Sequence, residues 1–112
     1  MKNSPAISGS GANEFRSGFS KENLDNHWKK HFEEYKGYTK EQYAQGALDL
    51  VQTATSETIL GYKNARGQVV RYDMESGNFV KGHPEIGIST MYRPKNGIEH
   101  FYNKAAEEAV ED

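Results

Sequence analysis

The sequence predicts an α+β domain, with helices leading into antiparallel strands that form one sheet of about four. Three observations carry this. Between Gly61 and Pro94, short runs rich in β-branched and aromatic residues alternate with the reversals Asn64-Ala65-Arg66-Gly67, Glu75-Ser76-Gly77-Asn78 and Gly82-His83-Pro84, spaced as in an antiparallel meander. Upstream, Leu24, Trp28, Phe32 and Tyr35 recur at intervals of four, four and three, which places them on one helical face. A second apolar stripe, Tyr43, Ala47, Leu50 and Val51, follows with Ala44 and Leu48 flanking it.

In chain order, residues 1–19 read as a flexible leader or linker. They are poor in large apolar groups and contain Ser8-Gly9-Ser10-Gly11-Ala12. Residues 20–112 form the single folding unit, about 90 residues and near the small end for one core. Ser20 is placed to cap the first helix, and Gly37 to stop it. Thr39-Lys40-Glu41-Gln42 reads as a capping box opening the second helix, which the polar and β-branched run Thr53 to Thr58 ends. Strands are expected over Ile59 to Lys63, Gln68 to Asp73 and Gly87 to Arg93, with Asn78 to Lys81 a weaker fourth. Pro94-Lys95-Asn96-Gly97 closes the sheet, and a last helix follows with Ile98, Phe101 and Ala105 inward.

Composition narrows the chemistry. With no cysteine there is no disulfide, no thiolate nucleophile and no cysteine-ligated zinc. No apolar run is long enough to span a membrane, and the first residues lack the hydrophobic stretch of a signal peptide. The net charge of −2 argues against a general nucleic-acid coat protein, but the charge is unevenly placed. Lys63, Arg66, Arg71, Lys81, Arg93 and Lys95 outnumber Asp73, Glu75 and Glu85 across the strands, whereas Glu99, Glu107, Glu108, Glu111 and Asp112 outnumber Lys104 beyond them. A mildly basic sheet is followed by an acidic tail.

His27-Trp28-Lys29-Lys30-His31 concentrates two imidazoles and two ammoniums in little more than one helical turn, with His27 and His31 stacked at the edge of the apolar stripe. The cations disfavour protonation of the rings, which suits a general base near neutral pH, while an incidental surface pair is the bland reading. A zincin-type metal site is not indicated, because Trp28 stands where a glutamate follows the first histidine. Arg71, mid-strand, shares a face with Val69 and Asp73 by alternation; it either pairs with Asp73 or offers its planar fork to a phosphate. Thr90 and Tyr92 share one face of their strand, Ser89 and Arg93 the other. His83 and His100 read as incidental. No phosphate-binding glycine loop, nucleophile elbow or paired acidic site is present.

The succession HWKKHFEEYKGYTKEQYAQGALDL, then N-x-x-G-x-x-V-R-Y-D-x-x-x-G-x-F, then G-I-S-T-M-Y-R-P-x-x-G resembles small ribonuclease domains at the C-termini of bacterial polymorphic toxins. These belong to the barnase/EndoU/colicin/RelE-like group, which includes contact-dependent growth inhibition effectors, and related domains occur in phage-associated proteins. The likeness spans about Leu24 to Tyr102. It implies a helical layer on a twisted antiparallel sheet, with a site on the sheet's open face that cuts RNA, typically tRNA, without metal or other cofactor. It implies further a cognate immunity protein as partner, a monomeric free domain, and delivery from a secreted or surface effector into a target cell's cytoplasm. Position by position, the family's helix histidines fall on His27 and His31, its strand arginine on Arg71 and its late-strand threonine on Thr90.

The expected mechanism has His27 or His31 deprotonating a ribose 2′-hydroxyl, which attacks phosphorus to give a 2′,3′-cyclic phosphate. The other histidine or Lys30 assists the leaving group, and Arg71 and Thr90 stabilise the phosphorane charge. Tyr92 stacks on a base while Lys63 and Arg93 hold flanking phosphates. The alternatives are a non-enzymatic interaction domain, phage-associated and of the same fold, and a zinc-dependent hydrolase whose activity a chelator would stop.

Overall fold

A computed structural model describes residues 12–109. Among them the order is α1 (Lys21–His31), a 3-10 turn (Phe32–Tyr35), α2 (Lys40–Gln52), β1 (Ile59–Lys63), β2 (Val69–Asp73), β3 (Phe79–His83), β4 (Gly87–Tyr92) and α3 (Ile98–Glu108). The α+β class expected from the sequence is present as a single antiparallel sheet in the order β1-β2-β3-β4.

Local chemistry sets the helix ends. The Ser20 hydroxyl accepts from the Asn23 amide at 3.2 Å, Glu22 lies in the first turn of α1, and Lys29, Lys30 and His31 lie in its last, all in the sense that complements the helix dipole. Thr39 and Gln42 form the complete reciprocal capping box of α2. The first helix stops at His31, short of Gly37, because the chain tightens into a 3-10 turn of about three residues per turn. That change of phase leaves Phe32 48% exposed although it continues the stripe, while Tyr35 is buried.

Both faces of the sheet are covered. On one, Val69, Val80, Ile88 and Met91 pack with Tyr35 and with Tyr43, Ala47, Leu50 and Val51 of α2. On the other, Tyr62, Val70, Tyr72 and Phe79 pack with Phe101 and Ala105 of α3. Burial on both faces is why β2 opens on two consecutive valines instead of alternating. The face expected to be open therefore carries α3 over part of its area, while Ile98, expected inward, is 37% exposed at the first position of that helix.

Of the stretch expected to form a leader, residues 1–11 lie outside the described residues, and 12–19 lie against the domain. The Arg16 amide donates to the Pro84 carbonyl at 2.9 Å, the Ile88 amide donates to the Gly18 carbonyl at 3.1 Å, and Phe19 stacks on Tyr43. Gly82 makes room for this strap, since a Cβ there would lie 2.9 Å from the Phe15 ring. Beside it, the β3–β4 register slips between Lys81 and Gly82, so that Lys81 faces Thr90 while Gly82 faces Ile88.

Candidate functional site

The helix α1 runs alongside the edge strand β4. Asn23, His27 and His31, four residues apart, form a stripe next to the core stripe of Leu24 and Trp28. Asn23 donates to the carbonyls of Ile88 at 3.1 Å and Ser89 at 3.3 Å, His27 Nδ1 lies 3.3 Å from Thr90 Oγ1, and the His31 ring stacks on Tyr92 with centroids 5.6 Å apart. Four helical residues rise about 6 Å and two strand residues about 6.6 Å, so the spacings match. The two imidazoles accordingly stack 6.0 Å apart, each beside one residue of the strand.

Each ring has a second constraint. His31 Nδ1 is 2.6 Å from Glu34 Oε2, and the other oxygen of Glu34 accepts from the Arg93 amide at 2.8 Å. That bond directs His31 Nε2 away from the carboxylate. Burial, with His31 and Lys30 nearby, pulls the His27 pKa below the ordinary histidine value and favours the neutral ring. From α3, His100 brings Nε2 within 2.8 Å of the Tyr92 hydroxyl. Burial and Lys104 lower the His100 pKa against an opposing push from Glu107, and burial with Glu108 and Glu34 raises that of Tyr92. A protonated phenol donating to a neutral imidazole is the arrangement these shifts favour.

A row of residues crosses the sheet at the level of His27. Tyr62 of β1 pairs with Val70 of β2, Val70 with Lys81 of β3, and Lys81 with Thr90 of β4. Lys81 is therefore the cation on the Thr90 face, half-buried, and its Nζ lies 2.8 Å from Glu108 Oε1. The next row on this face is Leu60, Tyr72, Phe79 and Tyr92, ending at His31.

The residues singled out in the sequence divide accordingly. His27, His31, Thr90 and Tyr92 come together, and the exposed Lys30 sits one turn from His27 on α1. Arg71 does not join them. The register puts Arg71, Val80 and Met91 in one line on the α2 face, so Thr90, next to Met91, points the other way. Arg71 is only 1% exposed, with Nε donating to the Thr53 carbonyl at the C-terminus of α2 at 2.7 Å and one terminal nitrogen donating to the Val70 carbonyl at 2.9 Å. It lies over Gly61, its strand partner, where a Cβ would come within 2.4 Å of the guanidinium. The helix-end carbonyl is the negative pole that this buried cation meets.

Lys63 is exposed and falls by alternation on the α2 face. Arg93 is engaged locally: it donates to Asn78 Oδ1 at 3.0 Å and to the Glu34 carbonyl at 2.8 Å, and its guanidinium lies 4.4 Å above the Tyr35 ring. It fastens the 3-10 turn to the end of β4.

Three members of the site were not singled out. Lys81 shares the parity of Phe79, as Thr90 shares that of Tyr92, which is a legible signal once those strands are paired. Glu34 stands three residues after His31, a spacing at which side chains meet. His100, read as incidental, carries no local sign that α3 returns to Tyr92. Among the described residues, no group of three or more His, Cys, Asp or Glu is placed to hold a metal ion. No described helix is long and apolar enough to cross a membrane. The site thus defines an acid–base surface of imidazoles, hydroxyls and one ammonium on an α+β sheet. Compared with protein-family models and with curated proteins, the chain matches none.

Proposed function

We propose that this domain is a metal-independent endoribonuclease of the toxin type, acting on RNA through the surface formed by His27, His31, Thr90, Tyr92 and Lys81. The observation that carries this reading is the in-register placement of His27 and His31 beside Thr90 and Tyr92, with Lys81 paired across from Thr90. Transesterification at a phosphodiester uses a base, an acid and a cation, and the two imidazoles and the Lys81 ammonium are the groups on this face assigned to those roles.

His27, held neutral by burial, is the base. With Nδ1–H donated to Thr90 Oγ1, its lone pair on Nε2 takes the ribose 2′-proton, and the 2′-oxygen attacks phosphorus to form the 2′,3′-cyclic phosphate. His31, backed by Glu34, protonates the departing 5′-oxygen through Nε2. Lys81 meets the charge on the non-bridging oxygens in place of Arg71, with Lys30 at the solvent side. Tyr92 is committed to His31 and His100, so it shapes the surface instead of stacking on a base.

Incubation of the domain with total RNA in EDTA, followed by mapping of the ends, tests this. Cleavage leaving cyclic phosphates, reduced by roughly 10²- to 10⁴-fold in His27→Ala and His31→Ala, is the expected result. Equal cutting by both variants overturns it.

One observation favours a second reading, a non-enzymatic interaction domain: Lys81 is neutralised within the molecule by Glu108. Induced expression separates the two, because a ribonuclease toxin arrests growth unless an immunity protein is supplied, whereas an interaction domain is tolerated.

A further inference from the structure

Three donors converge on a single oxygen at one end of the sheet face. Lys81 Nζ lies 2.8 Å, Tyr62 Oη 3.1 Å and Asn64 Nδ2 3.4 Å from Glu108 Oε1. They come from β3, β1 and the turn after β1, and the last two also touch α3, since the Tyr62 ring packs on Phe101 and Asn64 bridges Ala109 at the helix end. Asn64 is oriented beforehand: its Oδ1 accepts from the amides of Arg66 and Gln68, each at 3.0 Å, and its NH₂ donates to Gln68 Oε1 at 2.8 Å as well as, more weakly, to Glu108. Burial drives the Tyr62 pKa far up, so its hydroxyl keeps its proton and donates.

The fourth group, Glu108, is poorly placed by its own helix. It lies in the last turn of α3, where a negative charge opposes the dipole, and that turn has no basic residue. The opposite end of α3 has Gly97 as its cap, with no side-chain hydrogen bond. Burial pushes the Glu108 carboxyl upward, and the bonds from Lys81, Tyr62 and Asn64 outweigh this and hold it below the ordinary range. The carboxylate is thus in place because of the three donors, and a phosphate oxygen has the same charge sign and acceptor chemistry.

We propose that Lys81, Tyr62 and Asn64 form a subsite for a phosphodiester of single-stranded RNA, and that Glu108 fills it in this structure as an internal competitor carried on α3. The RNA identity of the ligand rests on the proposed function; the three-donor anion site does not. Lys81 links the subsite to the acid–base surface, since it pairs with Thr90, which contacts His27. A strand entering beside the histidines displaces the end of α3.

Fluorescence anisotropy with a labelled 2′-O-methyl oligoribonucleotide, which cannot be cleaved by 2′-hydroxyl attack, tests this without depending on catalysis. Glu108→Gln is expected to tighten binding by about tenfold, as removal of an internal competitor does. Glu107→Gln, the same charge change on an exposed neighbour whose carboxylate lies near Lys104, controls for net charge and is expected to change binding less than threefold or so. In the Glu108→Gln/Lys81→Met double variant the gain disappears. An equal gain in Glu107→Gln, a gain that survives Lys81→Met, or no change in Glu108→Gln each overturns the proposal. Cleavage assays on His27→Ala and His31→Ala report separately on the ribonuclease reading, so either idea can fail while the other stands.

Discussion

His27 Nδ1 and Thr90 Oγ1 lie 3.3 Å apart although 63 residues separate them, and the contact is one of three that fit α1 to β4 tooth by tooth. Thr90 contacts the ring proposed as the base, and on that reading its part is to orient the ring. Thr90→Val keeps the β-branch that suits a strand and removes the hydroxyl. A hydrogen bond of about 0.5–1.5 kcal/mol corresponds to a fall in kcat of roughly 2- to 12-fold, with KM unchanged and recovery in Thr90→Ser. A change confined to KM would move Thr90 from positioning to substrate binding.

Arg71→Ala is expected to damage the fold before it damages chemistry. The substitution strips a donor from the Thr53 and Val70 carbonyls and empties the volume over Gly61, at a cost of about 2–4 kcal/mol. Gly61→Ala is expected to destabilise as well, by driving a methyl group into the guanidinium. Urea titrations measure both. An Arg71→Ala protein with wild-type stability and no cleavage would return Arg71 to the site.

The lowered pKa values of His27 and His100 make stability pH-dependent. Each ring binds a proton more readily unfolded than folded, so stability is fully present above the ordinary value of 6.5 and is lost as pH falls from there toward the lower folded pKa. His27→Gln and His100→Gln are expected to flatten this acid limb in denaturation curves measured between about pH 4 and pH 7. For the same reason, if His27 is the base proposed above, the acid limb of kcat/KM is expected below the usual histidine range, since the ring stays neutral there.

Glu34 is expected to matter through His31. Glu34→Gln keeps an acceptor for the Arg93 amide and removes the charge behind the imidazole. Turnover is expected to fall by about tenfold, while thermal stability changes by less than about 1 kcal/mol. Unchanged turnover with reduced stability would make Glu34 a fastening of the 3-10 turn alone.

The elements were legible where local chemistry decides them: the Ser20 cap, the Thr39–Gln42 box and strands β1, β2 and β4 are within a residue of where turn residues and periodicity place them, whereas β3 runs on through Gly82 and His83, which had read as a reversal. The site was legible by half. Alternation showed which residues of one strand share a face, but matching the faces of β2 and β4 requires two registers and the slip at Lys81 and Gly82. Without them Arg71 and Thr90 read as neighbours, and Lys81, in the weakest of the four runs, counted only toward the basic charge of the sheet. The 3-10 turn escaped because it changes helical phase without any glycine or proline to announce it.

The order β1-β2-β3-β4 has a kinetic side. Each strand closes on its neighbour through a short reversal, so the sheet can assemble quickly from local hairpins, whereas bringing α1 to β4 requires closing a far longer loop. The contact of α1 with β4 is thereby expected to form late in folding: truncating His27 should leave the refolding rate nearly untouched and act, if at all, on unfolding.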